Sequence, residues 1–382
     1  MTATRLNSVQ EYYFSKKLRE VAAMVVAGKP IINMGIGSPD LPAHPKVVAA
    51  LQDSISHPKV HQYQSYQGIP ELRKAIADFY KRHYQVNAEP NTEILPLMGS
   101  KEGIMHISLA FLNPGDKVLI PNPGYPTYES VTRLVEAEPV FYNLNPSNHW
   151  QPDLNALDQM DLNGVKLMWV NYPHMPTGAN ARRETFEQLI NWAKKNGILL
   201  VNDNPYSFVL TDRPQSMLSV PGAMEVGMEL NSLSKSFNMA GWRVGMVLGN
   251  AANIGSVLKV KSNMDSGMFL GIQMGAIAAL NAKDSWFQQL NDVYSQRRKL
   301  VFKLADLLNT DFDTHSSGLF VWAKLRDTSK SAAEVIEEIL QKHHVFITPG
   351  SIFGTQGEGY IRFSLCVKVE QISKAIERIS KK

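Results

Sequence analysis

Cysteine is almost missing from this chain: among 382 residues there is one, Cys366. A single thiol excludes an intramolecular disulfide, and nothing else suggests a metal site. Long apolar runs are missing too. The most apolar stretch, GMFLGIQMGAIAAL at residues 267–280, is too short to span a bilayer and is interrupted by Gln273, so it reads as a buried helix. The start, MTATRLNSVQEYYFSKK, lacks the apolar core of a signal peptide, which makes the cytoplasm the default compartment. The 39 basic and 35 acidic residues, net +4, are spread along the chain without a basic stripe, so no nucleic-acid partner is expected. There is no internal repeat and no low-complexity segment.

What is present is an ordinary enzyme composition, 44% hydrophobic and 19% charged, in a chain longer than one hydrophobic core usually carries. Two lobes are expected. Residues 9–27 have helical spacing and stop at Gly28-Lys29-Pro30, and a loop, IGSPDLPAHP, follows. From residue 45 to 280 short apolar runs alternate with helix-length segments, the pattern of βαβ units around a mainly parallel sheet. The strands are expected at 93–98, 117–120, 165–170, 198–201, 228–230 and 243–248. Beyond residue 281 the pattern changes to a long helix to about 308, strands near 319–323 and 360–365, and helices at 332–342 and the end. This predicts an α/β large domain over 45–280 and a smaller α+β domain from 1–44 and 281–382.

Ligands of open α/β sheets sit beyond the carboxyl ends of the strands, so those exits are informative together. One is NSLSKSFNMAGWRVG, where Lys235 lies among small hydroxyl residues and Arg243 follows. A lysine amine attacks a carbonyl only when neutral, and a low-dielectric or cationic neighbourhood favours that form. Ser232 and Arg243 suit a phosphate. A second exit, NDNPY, puts Asp203 where a carboxylate can pair with a protonated pyridine nitrogen, with Tyr206 beside it. A third, PNPGYPTY, offers Tyr125 as a stacking ring. A fourth, GSKEG, opens a helix whose free N–H groups can cradle a phosphate. Each alone is weak, since lone lysines are usually solvated and lone aspartates usually turn residues. Their convergence on one sheet describes a pyridoxal phosphate (PLP) site.

In IGSPD, HQYQSYQGIPELRKAI, GSKEG, NPGYPTY, PTG, NDNPY, SLSKSFNMAGWRVG and YIRFS, in this order over nearly the whole chain, the sequence resembles the class I/II aminotransferases of PLP fold type I. The resemblance is to the subgroup that includes the bacterial aspartate and LL-diaminopimelate aminotransferases. The resemblance implies that Lys235 is the Schiff-base lysine and the general base and acid, that Asp203 pairs with the ring nitrogen, that Tyr206 bonds the phenolic oxygen and that Tyr125 stacks on the ring. It places the phosphate on Ser100, Lys101, Ser232, Arg243 and a Tyr63 from a second subunit, hence a homodimer with composite sites. It makes Arg362 the clamp for the substrate α-carboxylate, with Gly37 opposite, and implies ping-pong transfer between amino acids and 2-oxo acids. Lys101 favours an acidic partner such as glutamate, 2-oxoglutarate or aspartate, and Asp265 is placed to meet an amino group or to cap a helix.

The chain departs from the family at Met175, which stands where Asn-Pro-Thr-Gly is usual. Methionine cannot donate the asparagine's hydrogen bond, so Asn171, His174 or a water is expected to replace it. A β-eliminating C–S lyase on the same scaffold is the alternative activity, and a non-catalytic PLP-binding protein is a more distant one.

Overall fold

The structure, a computed structural model, describes residues 2–381. Its largest sheet has seven strands, in spatial order Ile94–Leu97, Gly245–Gly249, Gly227–Ser232, Leu199–Asp203, Val165–Val170, Lys117–Asn122 and Glu138–Asn143. Only Gly245–Gly249 runs antiparallel to its neighbours, so the sheet is mixed but mainly parallel. Helices cover both faces. The pleat sends Met168 and Val170 into one apolar cluster with Leu72, Ile76 and Phe79, and Leu167 and Trp169 into another with Ile104 and Ile107. Burial on both faces is why these strands read as continuous apolar runs.

A four-stranded antiparallel sheet, Thr348–Pro349, Tyr360–Ser364, Phe320–Leu325 and Thr310–Phe312, has its own core around Val321, Ile361, Phe363, Val301 and Ile372. The helices Asp284–Leu307 and Val369–Ser380 pack on it, and Ala332–His343 opens with a Ser331/Glu334 capping box. Near the other end of the chain, Ile32–Asn33 pairs in parallel with Val345–Phe346, which ties the N-terminal segment to the C-terminal elements.

Three expectations are corrected. The strand expected from residue 243 begins at Gly245, because Arg243 is left-handed (φ 55°) and cannot enter the ladder. Glu138–Asn143 was not anticipated: it is a half-exposed edge strand without an apolar run. The helix expected to be buried over 267–280 spans Leu270–Leu280, and Phe269 and Met274 at its surface are exposed. Being apolar all round, its sequence could not say which face packs on Pro45–Ile55. No helix among the described residues is long and apolar enough to cross a membrane.

Candidate active site

The carboxyl ends of the parallel strands open into a cavity of about 650 Å³. Tyr12 and Phe14, at the start of the N-terminal helix Tyr13–Val26, close one side, and Phe320, Phe353 and Arg362 close another.

Lys235 enters it from a four-residue helix, Leu233–Ser236, that follows the strand Gly227–Ser232 directly; Ser232 caps this helix by accepting from the Ser234 N–H at 3.1 Å. The Lys235 Nζ donates to the Gly37 carbonyl at 2.8 Å and has no carboxylate partner among the described ion pairs. Burial lowers its pKa, with Cys366 and Asp203 acting against this and the Arg362 and Arg243 charges adding to it. The shift is toward the neutral, nucleophilic amine.

Asp203 ends its strand on the face shared with Tyr128, whose hydroxyl donates to Oδ2 at 2.9 Å. Oδ1 is buried without a partner. Burial pushes the carboxyl up to about 7, so it holds a proton readily at this one free oxygen. An unpaired buried acceptor costs on the order of 1–3 kcal/mol, a cost that a protonated ring nitrogen removes.

Across the cavity, Gly99 (φ 94°) turns the chain into the helix Ser100–Phe111, and a Cβ there would collide with the Arg243 guanidinium. Arg243 is aimed at this turn by its left-handed backbone and by donation from Nη1 to the Ala240 carbonyl at 3.0 Å. Ser100, Lys101, Ser232, Ser234 and Arg243 therefore border one end of the cavity, a donor-rich helix N-terminus of the kind that binds phosphate. Lys101 lays its ammonium over the Tyr12 ring, 4.8 Å from the centroid.

Arg362 is buried on the strand Tyr360–Ser364 with no acidic partner. Its Nη2 donates to the Gly35 carbonyl at 2.8 Å, its Nη1 contacts the Met175 sulfur at 3.4 Å, and its Nε has no partner. Phe320, Phe353 and Phe14 surround the guanidinium at 3.9, 4.6 and 5.5 Å. Burial lowers its pKa to about 10, which leaves it charged and short of an anion. Tyr125, edge-on to Tyr128 at 5.6 Å, and Tyr206, edge-on to Phe320 at 6.1 Å, also border the cavity, as does Gly37.

Asn171 borders the cavity with both ends of its amide committed: Nδ2 donates to the Asp203 carbonyl and Oδ1 accepts from the Met175 N–H. His174 is buried outside the cavity lining, bonded to Thr177 at 2.8 Å, and burial drives its pKa down to about 3. Neither stands free in place of an asparagine at 175. Tyr63 lies away from the cavity and is 90% exposed. Asp265 meets an amino group of its own chain, the buried Lys261 Nζ at 2.9 Å, and lies past the end of the helix Ala251–Lys261 rather than at a helix start. Sequence reasoning missed Tyr12, Phe14, Phe320 and Phe353 as cavity walls. All four read as ordinary apolar positions.

The residues fit pyridoxal phosphate in three chemically distinct places: a donor-rich turn for the phosphate, an orphaned carboxylate oxygen for the ring nitrogen and an amine with no acidic partner for the carbonyl carbon. The comparisons agree. Residues 29–379 match the family Aminotransferase class I and II. LL-diaminopimelate aminotransferases from Aquifex aeolicus and Dehalococcoides mccartyi are 38% and 40% identical, each over 98% of this chain and 97% of the relative. The apo structure of BacF from Bacillus subtilis superposes with a TM-score of 0.96 at 36% identity, covering 100% of this chain and 98% of that one. With site and similarity pointing the same way, the chain belongs to the class I and II aminotransferases, as a PLP-dependent enzyme of fold type I that acts on amino acids and 2-oxo acids.

Proposed function

We propose that Lys235 holds the cofactor covalently and moves the substrate proton, and that the donor is an amino acid with a second carboxylate. LL-diaminopimelate is the first candidate, with 2-oxoglutarate as acceptor. One observation carries the reading: the amine of Lys235 and the guanidinium of Arg362, neither with an acidic partner, and the orphaned Oδ1 of Asp203 border a single cavity.

When bound, pyridoxal phosphate supplies an electron sink for charge developing at the substrate Cα. Everything else falls to side chains. Asp203 keeps a proton on the ring nitrogen through Oδ1, with Tyr128 holding Oδ2. Tyr206 donates to the phenolic oxygen, Tyr125 stacks on the ring, and Asn171 fixes the backbone at Asp203. The Ser100 and Lys101 amides, Ser232 and Arg243 bind the phosphate. Arg362, with Gly37 opposite, takes the α-carboxylate and so turns the Cα–H bond toward Lys235. Once the substrate amine has displaced it from the cofactor, Lys235 Nζ would be a free amine able to take that proton and return it on the cofactor side. Tyr12, Phe14, Phe320 and Phe353 exclude water. Lys101, whose ammonium is already in the cavity, receives the distal carboxylate, a role that the names of the curated relatives support.

We infer further that two copies form a homodimer in the cytoplasm, with Tyr63 of each reaching the phosphate of the other; its exposure supports this. Residues 45–280 are taken as the cofactor-binding domain and 1–44 with 281–382 as the small domain, a division supported by the pairing of Ile32–Asn33 with Val345–Phe346.

A half-reaction screen tests the substrate. Each amino acid is added to the PLP form without an acceptor and the change in cofactor absorbance is followed. LL-diaminopimelate or glutamate should convert it fastest; conversion by neutral amino acids alone contradicts the dicarboxylate reading. Met175→Asn tests the departure. It adds a donor and removes the sulfur from Arg362, and should shift the cofactor spectrum and change the KM of the donor by up to about tenfold. Unchanged spectra and kinetics would show that the position is inert.

A further inference from the structure

On the face of the sheet opposite Asp203 lies a second buried carboxylate, Glu229, which is fully inaccessible. It stands beside Asn202 in the strand register, and strand alternation turns Asn202 and Asn204, the two neighbours of Asp203, toward it. Asn202 donates to Oε2 at 3.0 Å and Asn204 to Oε1 at 3.3 Å. The Tyr80 hydroxyl donates to Oε1 at 3.1 Å and the Met217 N–H to Oε2 at 2.9 Å.

These four donors are all uncharged, and so is the Ser216 hydroxyl that also bonds this carboxylate. Three are N–H groups that could not accept a proton from it. The fourth, Tyr80, already accepts from the Asn231 amide at 3.2 Å. Burial pushes the Glu229 pKa up, while donation from Asn202, Ser216, the Met217 N–H and Asn204 acts against it, and this set of donors favours the carboxylate. The result is an anion one strand away from Asp203, with no cation in its hydrogen-bond shell. Tyr80 and Tyr84 of the helix Pro70–Tyr84 also face Glu229, while Tyr128 and Lys235 face Asp203.

We propose that Glu229 is an anionic positioning residue for Asp203: it anchors both asparagines that flank Asp203, and its charge favours a proton on the pair formed by Asp203 and the cofactor ring nitrogen. This rests on the assignment of Asp203 as the ring-nitrogen partner. Glu229 itself touches neither substrate nor cofactor. Its face of the sheet is the one packed against Phe79 and Tyr80, away from the cavity.

The test uses holoenzyme carrying pyridoxal phosphate labelled with ¹⁵N in the ring, titrated by NMR. In the parent the nitrogen should be protonated near neutral pH. In Glu229→Gln its loss of the proton should move down by about one pH unit, a tenfold weaker hold. Tyr80→Phe, which keeps the packing but frees one oxygen of Glu229 to take a proton and so partly neutralises it, should move it the same way by less, and decides the matter if Glu229→Gln fails to fold. Folding is checked by circular dichroism and melting. Parent-like titrations in the folded variants would overturn the role of Glu229 while leaving Asp203 in place. An unprotonated nitrogen in the parent would overturn both.

Discussion

Lys235→Ala is expected to lower turnover on the order of 10⁴-fold and to abolish the colour of covalently held cofactor, while leaving noncovalent binding of pyridoxal phosphate measurable. Both losses follow from one atom. Nζ is an amine in the cavity with no acidic partner, and burial lowers its pKa. The donor-rich turn at Ser100, Asp203 and Tyr125 are untouched by the change, so the noncovalent contacts proposed for the cofactor would remain. External primary amines should restore part of the rate. A variant that retained both colour and turnover would place the chemistry on another lysine.

Asp203→Asn should have opposite effects on the two forms of the protein. In the holoenzyme, turnover should fall on the order of 10³-fold, because an amide cannot hold a proton on the ring nitrogen as a carboxylate does. In the cofactor-free protein the sign reverses. Burial raises Asp203 from its ordinary 3.8 to about 7, so the folded state binds this proton more tightly than the unfolded state does. Its contribution is fully present below about 4 and is lost as pH rises through about 7. Asparagine has no charge to desolvate. The cofactor-free variant should therefore be more stable than the parent at pH 8, by on the order of 4 kcal/mol, and melt higher, with the gap closing toward pH 4. Equal melting at both pH values would mean that the carboxylate is well solvated.

The strand exits were legible because each couples an apolar run to residues that no core requires. Lys235, Asp203, Tyr125, Ser100 and Arg243 come from four such exits and border one cavity. The parallel sheet was legible for a related reason, since strands buried on both faces leave long apolar runs such as Val165–Val170. The remainder depended on contacts distant in sequence. Phe14, Phe320 and Phe353 surround Arg362 from three separate segments, and no local periodicity marks them as a cage. Asn171 looked free to replace the missing asparagine; only the fold shows both ends of its amide in use. Asp265 suggested a substrate contact, whereas its ammonium is that of Lys261 one helical turn earlier. Arg243 read as the start of a strand because a left-handed residue leaves no mark in composition.

The central claim is that one particular lysine carries the cofactor. Hydride reduction of the holoenzyme, followed by proteolysis and mass spectrometry, tests it directly. A single modified peptide is expected, with the reduced cofactor on Lys235. Modification at Lys101, the other lysine bordering the cavity, or no stable attachment at all, would contradict it.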